Sequence, residues 1–293
     1  MTTLFESPRR ASEWCTQQRK DGQRIGYVPT MGALHDGHLS LIERSVSEND
    51  LTCASIFVNP LQFNNPEDLE RYPRSLEADL AKLHVTRCDM VFSGNLHEFF
   101  PDQVIPSQSP QPFDSIAMQG LEADHRPGHL EGVRAIVERL FDTVGECRAY
   151  FGEKDFQQTL LVKEIANKHG AIKIVVCPTV RETSGLAMSS RNLRLSCAGQ
   201  TLASCLYQTL LEADSAWKQG ERNPEKLENL MSSRLDRPGI EIEYTAVRDP
   251  DNWTEATPEF LPGSAQALVA AYVEGVRLID NLALGRIKSA DNV

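Results

Sequence analysis

The stretch "LTCASIFVNP" (51–60) constrains the fold of this chain more than any other: a small and apolar run that ends abruptly at Asn59-Pro60. A strand with one wet face alternates polar and apolar side chains. A run this continuous belongs to a strand covered on both faces, as in a parallel sheet between helices. Shorter strands are expected at "RIGYVPT" (24–30), "CDMVFSG" (88–94), "AYFG" (149–152) and "IKIVVCP" (172–178). Helical spacing fills the intervals. From Leu39, the residues Leu39, Leu41, Ile42 and Val46 share one face, with Glu43, Arg44 and Glu48 on the other. "DLERYPRSLEADLAKLHV" (68–85), "GVRAIVERLFDTV" (132–144) and "DFQQTLLVKEIANKH" (155–169) also read as helices. Alternation at this spacing predicts an α/β fold, a Rossmann-like open parallel sheet with helices on both faces. After about Thr179 the pattern changes to helices at 197–219 and 224–235. Strand-like "IEIEYTAVRD" (240–249) and "AQALVAAYVEGVRLID" (265–280) follow. That predicts a smaller C-terminal α+β domain, dividing the chain into 1–179 and 180–293. "RETSGLAMSSRN" (181–192) lies at the junction.

A net charge of −11 argues against a nucleic-acid partner, which calls for a basic face. Seven widely spaced cysteines, with no CxxC pair, argue against a disulfide framework or a zinc knuckle. "MTTLFESPRR" has no apolar leader, and no run approaches the roughly 18 apolar residues of a membrane span. A cytoplasmic protein is expected, with no membrane partner.

The unusual chemistry begins at "VPTMGALHDGHLSLI" (28–42), where a strand hands over to a helix. Ligands collect at such strand ends in open α/β sheets, facing the N–H groups of the next helix. Gly32 and Gly37 permit close backbone approach. His35 and His38, three residues apart, can project to one side and place N–H groups on phosphate oxygens. Alone, two histidines in a turn more often satisfy local hydrogen bonds than bind a ligand. Elsewhere "FGEKDFQQ" (151–158) puts Gly152, Lys154 and Asp155 where a strand opens into a helix. "SIFVNPLQF" (55–63) sets the amides of Asn59 and Gln62 just past the buried run, where they suit hydroxyl and carboxylate recognition.

These stretches, with "YPRSLEAD" (72–79), "RPGHLEGV" (126–133) and "PTVRETSGLAMSSRN" (178–192), occur in the order found in the pantothenate synthetase (pantoate–β-alanine ligase) family. "HDGH" (35–38) resembles the HxGH signature of the wider nucleotidyltransferase superfamily. The likeness is close over roughly 25–195 and thins to "EYTAVRD" and "VRLIDN" beyond. It implies ATP-dependent condensation of (R)-pantoate with β-alanine through a pantoyl adenylate, releasing pyrophosphate and then AMP, in pantothenate and coenzyme A biosynthesis. It implies ATP contacts at Met31, Gly32, Ala33, Leu34, His35, Asp36, Gly37 and His38. Further ATP contacts are implied at Gly152, Glu153, Lys154, Asp155, Val180, Met188, Ser189, Ser190 and Arg191. The catalytic groups would be His38, His35, Lys154 and Arg191. Gln62 would meet pantoate and β-alanine and Gln158 pantoate, with Asn59 and Tyr72 candidates for the same pocket. Mg²⁺ would accompany ATP without a dedicated protein metal site, and a homodimer is expected. "MSSRN" is the counterpart of the KMSKS loop of class I synthetases, which suggests a loop closing over ATP. Arg126 and His129 could frame the pocket, meet a substrate carboxylate or brace their loop.

The chain departs from the family pattern at Arg194, where an aromatic residue is usual, and in "EFFPDQVIPSQSPQPFD" (98–114). Three other readings fit less well. A nucleotidyltransferase acting on a phosphorylated acceptor calls for more cationic groups than "NPLQF" and "KDFQQ" offer. An aminoacyl-tRNA synthetase calls for an anticodon-binding extension. A non-catalytic binding module predicts that one phosphate-contact motif is lost, and all are present.

Overall fold

A computed structural model describes residues 2–101, 114–253 and 264–286. The chain forms two compact units, Met1–Val180 and Arg181–Val293.

In the first unit six strands form one sheet: β1 (Thr3–Phe5), β2 (Ile25–Thr30), β3 (Leu51–Ile56), β4 (Met90–Phe92), β5 (Cys147–Gly152) and β6 (Ile172–Cys177). Their order is β1-β4-β3-β2-β5-β6 and every pairing is parallel. β3 is sealed on both sides, with Thr52, Cys53, Ala54 and Ser55 all at 0% exposure. Alternate residues feed the two faces, as a period of two requires. Val28, Ala54 and Val91 join Leu41, Ile42 and Leu83 of the helices Asp36–Glu48 and Leu76–Val85 in one core. Tyr27 and Phe92 stack with ring centres 6.0 Å apart, and the buried Tyr27 hydroxyl meets Ser55 Oγ at 2.8 Å.

Two elements precede the first expected strand: β1 and the helix Pro8–Lys20. With only three residues, β1 is too short for alternation to reveal it. The helix expected over 68–85 is broken into Pro66–Glu70 and Leu76–Val85. Pro73 accounts for the break, since it lacks an N–H and biases Tyr72 away from helical backbone.

The sheet order positions the site. From β2 the chain steps outward to β3 and β4, then returns to lay β5 against the other flank of β2. That reversal places residues 31–38, which follow β2, beside residues 153–158, which follow β5. Such a switch point is where an open parallel sheet leaves a crevice.

The second unit packs the helices Cys197–Ala203, Cys205–Lys218 and Pro224–Leu235 with an antiparallel sheet. Its strands are β7 (Ile240–Arg248), β8 (Ala265–Val273) and β9 (Val276–Leu284), in that order. Leu206, Leu210, Trp217, Leu227 and Met231 meet Val269 and Leu278 in its core. The strand-like stretch 265–280 is a hairpin turning at Glu274-Gly275, both at positive φ as a tight two-residue turn demands. Among the described residues no helix is long and apolar enough to cross a membrane.

Candidate active site

The turn after β2 is held from a neighbouring helix. Gly32 (φ 80°) and Ala33 (φ 49°) both lie in the left-handed region. The N–H groups of Ala33 and Leu34 donate to Asp79 Oδ2 and Oδ1 at 2.9 and 2.8 Å. Asp79 is 2% exposed, so the pair of backbone donors is what makes its burial tolerable. Lys82, one turn further along the same helix, donates to the Leu34 carbonyl. A Cβ on Gly32 would lie 2.9 Å from Asp79 Oδ2, so glycine is required there.

His35 caps the helix Asp36–Glu48, and its backbone N–H donates to His38 Nδ1 at 3.3 Å. Because Nδ1 accepts, a neutral His38 carries its proton on Nε2. The two rings lie 4.0 Å apart, centre to centre. Burial lowers the His35 pKa to about 4, and the Lys154 charge adds to the effect. Burial, then the neighbouring His35 and Lys154, hold His38 well below the ordinary range. Both rings are therefore neutral at pH 7. His35 Nδ1 is buried without a hydrogen-bond partner among the described residues.

The reach of the Lys154 charge to both rings follows from β2 and β5 being neighbours. Lys154 Nζ stands 3.7 Å from Asp155 Oδ1. A Cβ at Gly152 would meet no atom of the described residues beyond its chain neighbours within 4 Å, which leaves room for close approach to this backbone. Asp36, Gly37 and Glu153 lie on these same two turns.

A second group forms around the turn Pro60–Gln62. Asn59 is 1% exposed, accepts from the Leu61 N–H at 3.2 Å and donates to Gly132 O at 2.9 Å and Gln62 Oε1 at 3.1 Å. Both of its amide hydrogens are spent inside the protein, so it shapes Gln62. Gln62 Nε2 in turn donates to Met31 Sδ at 2.8 Å, which ties this group to the histidine turn. Tyr72, 6% exposed, sets its ring edge-on to Phe63 at 5.6 Å. Gln158 lies partly exposed in the first turn of the helix Phe156–His169. Its neighbour Gln157 points the other way and is 2% exposed.

His129 and Arg126 have defined places here. His129 Nδ1 lies 2.8 Å from the Gln62 carbonyl oxygen, and Arg126 lies 3.0 Å from His129 Nε2. Arg126 also pairs with the buried Glu122 and reaches Gln62 O at 3.4 Å. Burial lowers the His129 pKa to about 3.

Val180 closes the first unit. Met188, Ser189, Ser190 and Arg191 belong to the second, where Ser189 Oγ accepts from the Arg191 N–H at 3.2 Å. The Asn192 amide donates to Ala187 O at 3.0 Å, and Arg181 pairs with the buried Asp280 at 2.6 Å. Leu193, just before Arg194, is 77% exposed. Most of the atypical 98–114 segment lies outside the described residues.

Asp79, Lys82, Gln157 and Gly132 escaped the reading of the sequence. Asp79 lies inside "YPRSLEAD", but locally it is one more acidic residue on a helix. Only the partners it finds across the fold mark it. Gln157 differs from Gln158 by about 100° around the helix, which sends one inward and one outward.

Comparison with known proteins gives a consistent result. The family model described as pantoate-beta-alanine ligase matches residues 3–283. A pantothenate synthetase from Cytophaga hutchinsonii is 41% identical over 92% of this chain and 94% of its own. One from Cereibacter sphaeroides is 40% identical over 96% and 98%. The crystal structure of pantothenate synthetase from Thermus thermophilus superposes with a TM-score of 0.86 at 36% identity, covering 96% of this chain and 99% of that one. That of a pantoate-beta-alanine ligase from Francisella tularensis, complexed with beta-gamma ATP and beta-alanine, gives 0.76 at 34% identity over 96% and 97%.

Proposed function

This chain belongs to the pantoate–β-alanine ligase family, and from that premise we propose that it condenses pantoate with β-alanine, using ATP, to give pantothenate, AMP and pyrophosphate. The pantoate carboxylate attacks the α-phosphorus, an O–P bond forms and pyrophosphate leaves. The β-alanine amine then attacks the acyl carbon of the adenylate, loses a proton and expels AMP.

The observation that carries the reading is the meeting of two neutral histidines with Lys154 at the ends of β2 and β5. A carboxylate has no proton to lose, so adenylation asks for charge stabilisation rather than a base. The Nε2–H of His38 is a preorganised donor for the phosphate oxygens, and Lys154 adds positive charge. Gln62, tied to Met31, brings the hydroxy acid to the same turn. ATP takes residues 31–38 and 152–155 in this reading, with His35 beside His38. Gln158 adds a contact to pantoate.

Val180, Met188, Ser189, Ser190 and Arg191 are assigned to ATP by resemblance alone. The homodimer rests on the same ground, and a cytoplasmic location on the seven widely spaced cysteines, which suit a reducing compartment.

Mg²⁺ is part of the proposal. Among the described residues no group of three or more His, Cys, Asp or Glu is placed to hold a metal. The ion would be carried mainly by phosphates and water. Asp155, beside Lys154, is the carboxylate that would meet it. When bound, the ion neutralises charge on the β- and γ-phosphates.

Pantoate-dependent exchange of radiolabelled pyrophosphate into ATP tests the reading. Exchange should require pantoate, proceed without β-alanine and stop in excess chelator. Exchange driven by another acid but not by pantoate would redirect the substrate, and undiminished exchange in chelator would remove the metal.

A further inference from the structure

Around Gln62 lies a set of buried groups that the chemistry above does not use. The Gln62 side chain is held by Asn59 and Met31. Its backbone is held separately. The carbonyl oxygen of Gln62 is 2.8 Å from His129 Nδ1, and His129 Nε2 is 3.0 Å from Arg126. A guanidinium can only donate, so Nε2 must accept and the ring proton must sit on Nδ1, aimed at Gln62. Arg126 is oriented in turn by Glu122, whose carboxylate is 3.4 Å away and whose side chain is 8% exposed. The Glu122 backbone N–H donates to Gln157 Oε1 at 3.0 Å, while Gln157 Nε2 donates to the carbonyls of Ala117 and Gly120 at 2.8 and 3.0 Å. The relay thus runs from the helix that carries Gln158 to the backbone of Gln62.

We propose that His129, oriented by Arg126 and Glu122, is a positioning residue that sets where Gln62 presents its amide to the hydroxy acid and to β-alanine. This rests on the reading of Gln62 as the residue that meets both. The arrangement gives Gln62 two independent anchors: the partners of its side-chain amide, and a backbone carbonyl fixed by a neutral ring of enforced tautomer. Arg126 is committed to protein partners, His129, Glu122 and Gln62 O within this relay and Asn64 beside it, which favours bracing over direct capture of a substrate carboxylate.

Two substitutions separate positioning from general support. In His129→Asn the amide nitrogen falls near the place of Nδ1 and can still donate to Gln62 O. In His129→Gln it falls near Nε2, against Arg126, and the carbonyl loses its short donor and keeps only the 3.4 Å contact from Arg126. His129→Gln should raise the KM for pantoate and β-alanine by about tenfold, the order expected when a buried acceptor loses its partner. The KM for ATP should stay near that of the wild type, and His129→Asn should recover most of the loss. Equal effects of the two variants, or an ATP KM that rises as much as the pantoate KM, would overturn the proposal.

A second measurement does not depend on turnover. Long-range ¹H–¹⁵N spectra of the whole protein at pH 7 should show His129 protonated on Nδ1 and bare on Nε2, with His129→Asn identifying the signal. The opposite tautomer, or a charged ring, would overturn the proposal even if His129→Gln fails to fold. If the wild-type protein does not use pantoate at all, the functional reading fails, and the spectra still decide the geometry.

Discussion

At Gly32 and Ala33 the backbone enters the left-handed region twice in succession, and for alanine that conformation is disfavoured. Asp79 stabilises it by accepting two adjacent N–H groups with its two oxygens. Asn in its place keeps the size but offers one oxygen, and turns an NH₂ toward the other donor. Asp79→Asn should therefore loosen the turn that carries both histidines. Hydrogen bonds to a charged acceptor are worth about 1.5–3 kcal/mol, so the KM for ATP should rise about tenfold or more. The KM for pantoate should change much less. Steady-state kinetics with each substrate varied in turn would check this, and an unchanged ATP KM would mean that the turn holds itself.

At the scale of elements, two helices open beside the same crevice: Asp36–Glu48 after β2 and Phe156–His169 after β5. Their N-termini lie at the carboxyl ends of parallel strands, where N–H groups and the helix dipole favour an anion. A third helix, His129–Val144, supplies the seat for Gln62. A Cβ at Gly132 would stand 2.1 Å from Leu61 O and 2.6 Å from Gln62 N. Both are backbone atoms and cannot swing aside as a side chain would. Gly132→Ala should cost about 1–3 kcal/mol of stability, as overpacking does. It should also raise the pantoate KM by displacing the turn, and urea denaturation with substrate kinetics would measure both. Wild-type stability and kinetics in this variant would mean that helix and turn can separate freely.

For the molecule as a whole, burial of His35, His38 and His129 in neutral form couples folding to pH. All three have pKa values below the unfolded value of 6.5, at about 4 for His35 and about 3 for His129. As pH falls below 6.5 the unfolded chain takes up protons that the fold refuses, so stability drops with pH. Stability is fully present above that point and declines until each folded pKa is passed. Moving His129 alone from 6.5 to about 3 corresponds to at most about 5 kcal/mol. The urea midpoint should hold steady from pH 8 to 7 and fall between 6.5 and 4.5. His129→Asn should flatten that fall. A midpoint insensitive to pH over this range would mean that the rings are solvated or already charged.

Most strand positions, β1 apart, the order of the motifs and the polar groups proposed to act were legible along the chain, because each depends on residues within a few positions of one another. Doubly buried strands show as unbroken apolar runs, and a strand-to-helix turn shows as glycine beside polar residues. The partners of those groups were not legible. Asp79 reaches Leu34 across 45 positions, and His129 reaches Gln62 across 67. Nothing in local spacing says that β5 lies against β2. Charge, tautomer and burial of a histidine depend on what surrounds it, and that is decided only when distant segments pack and exclude water.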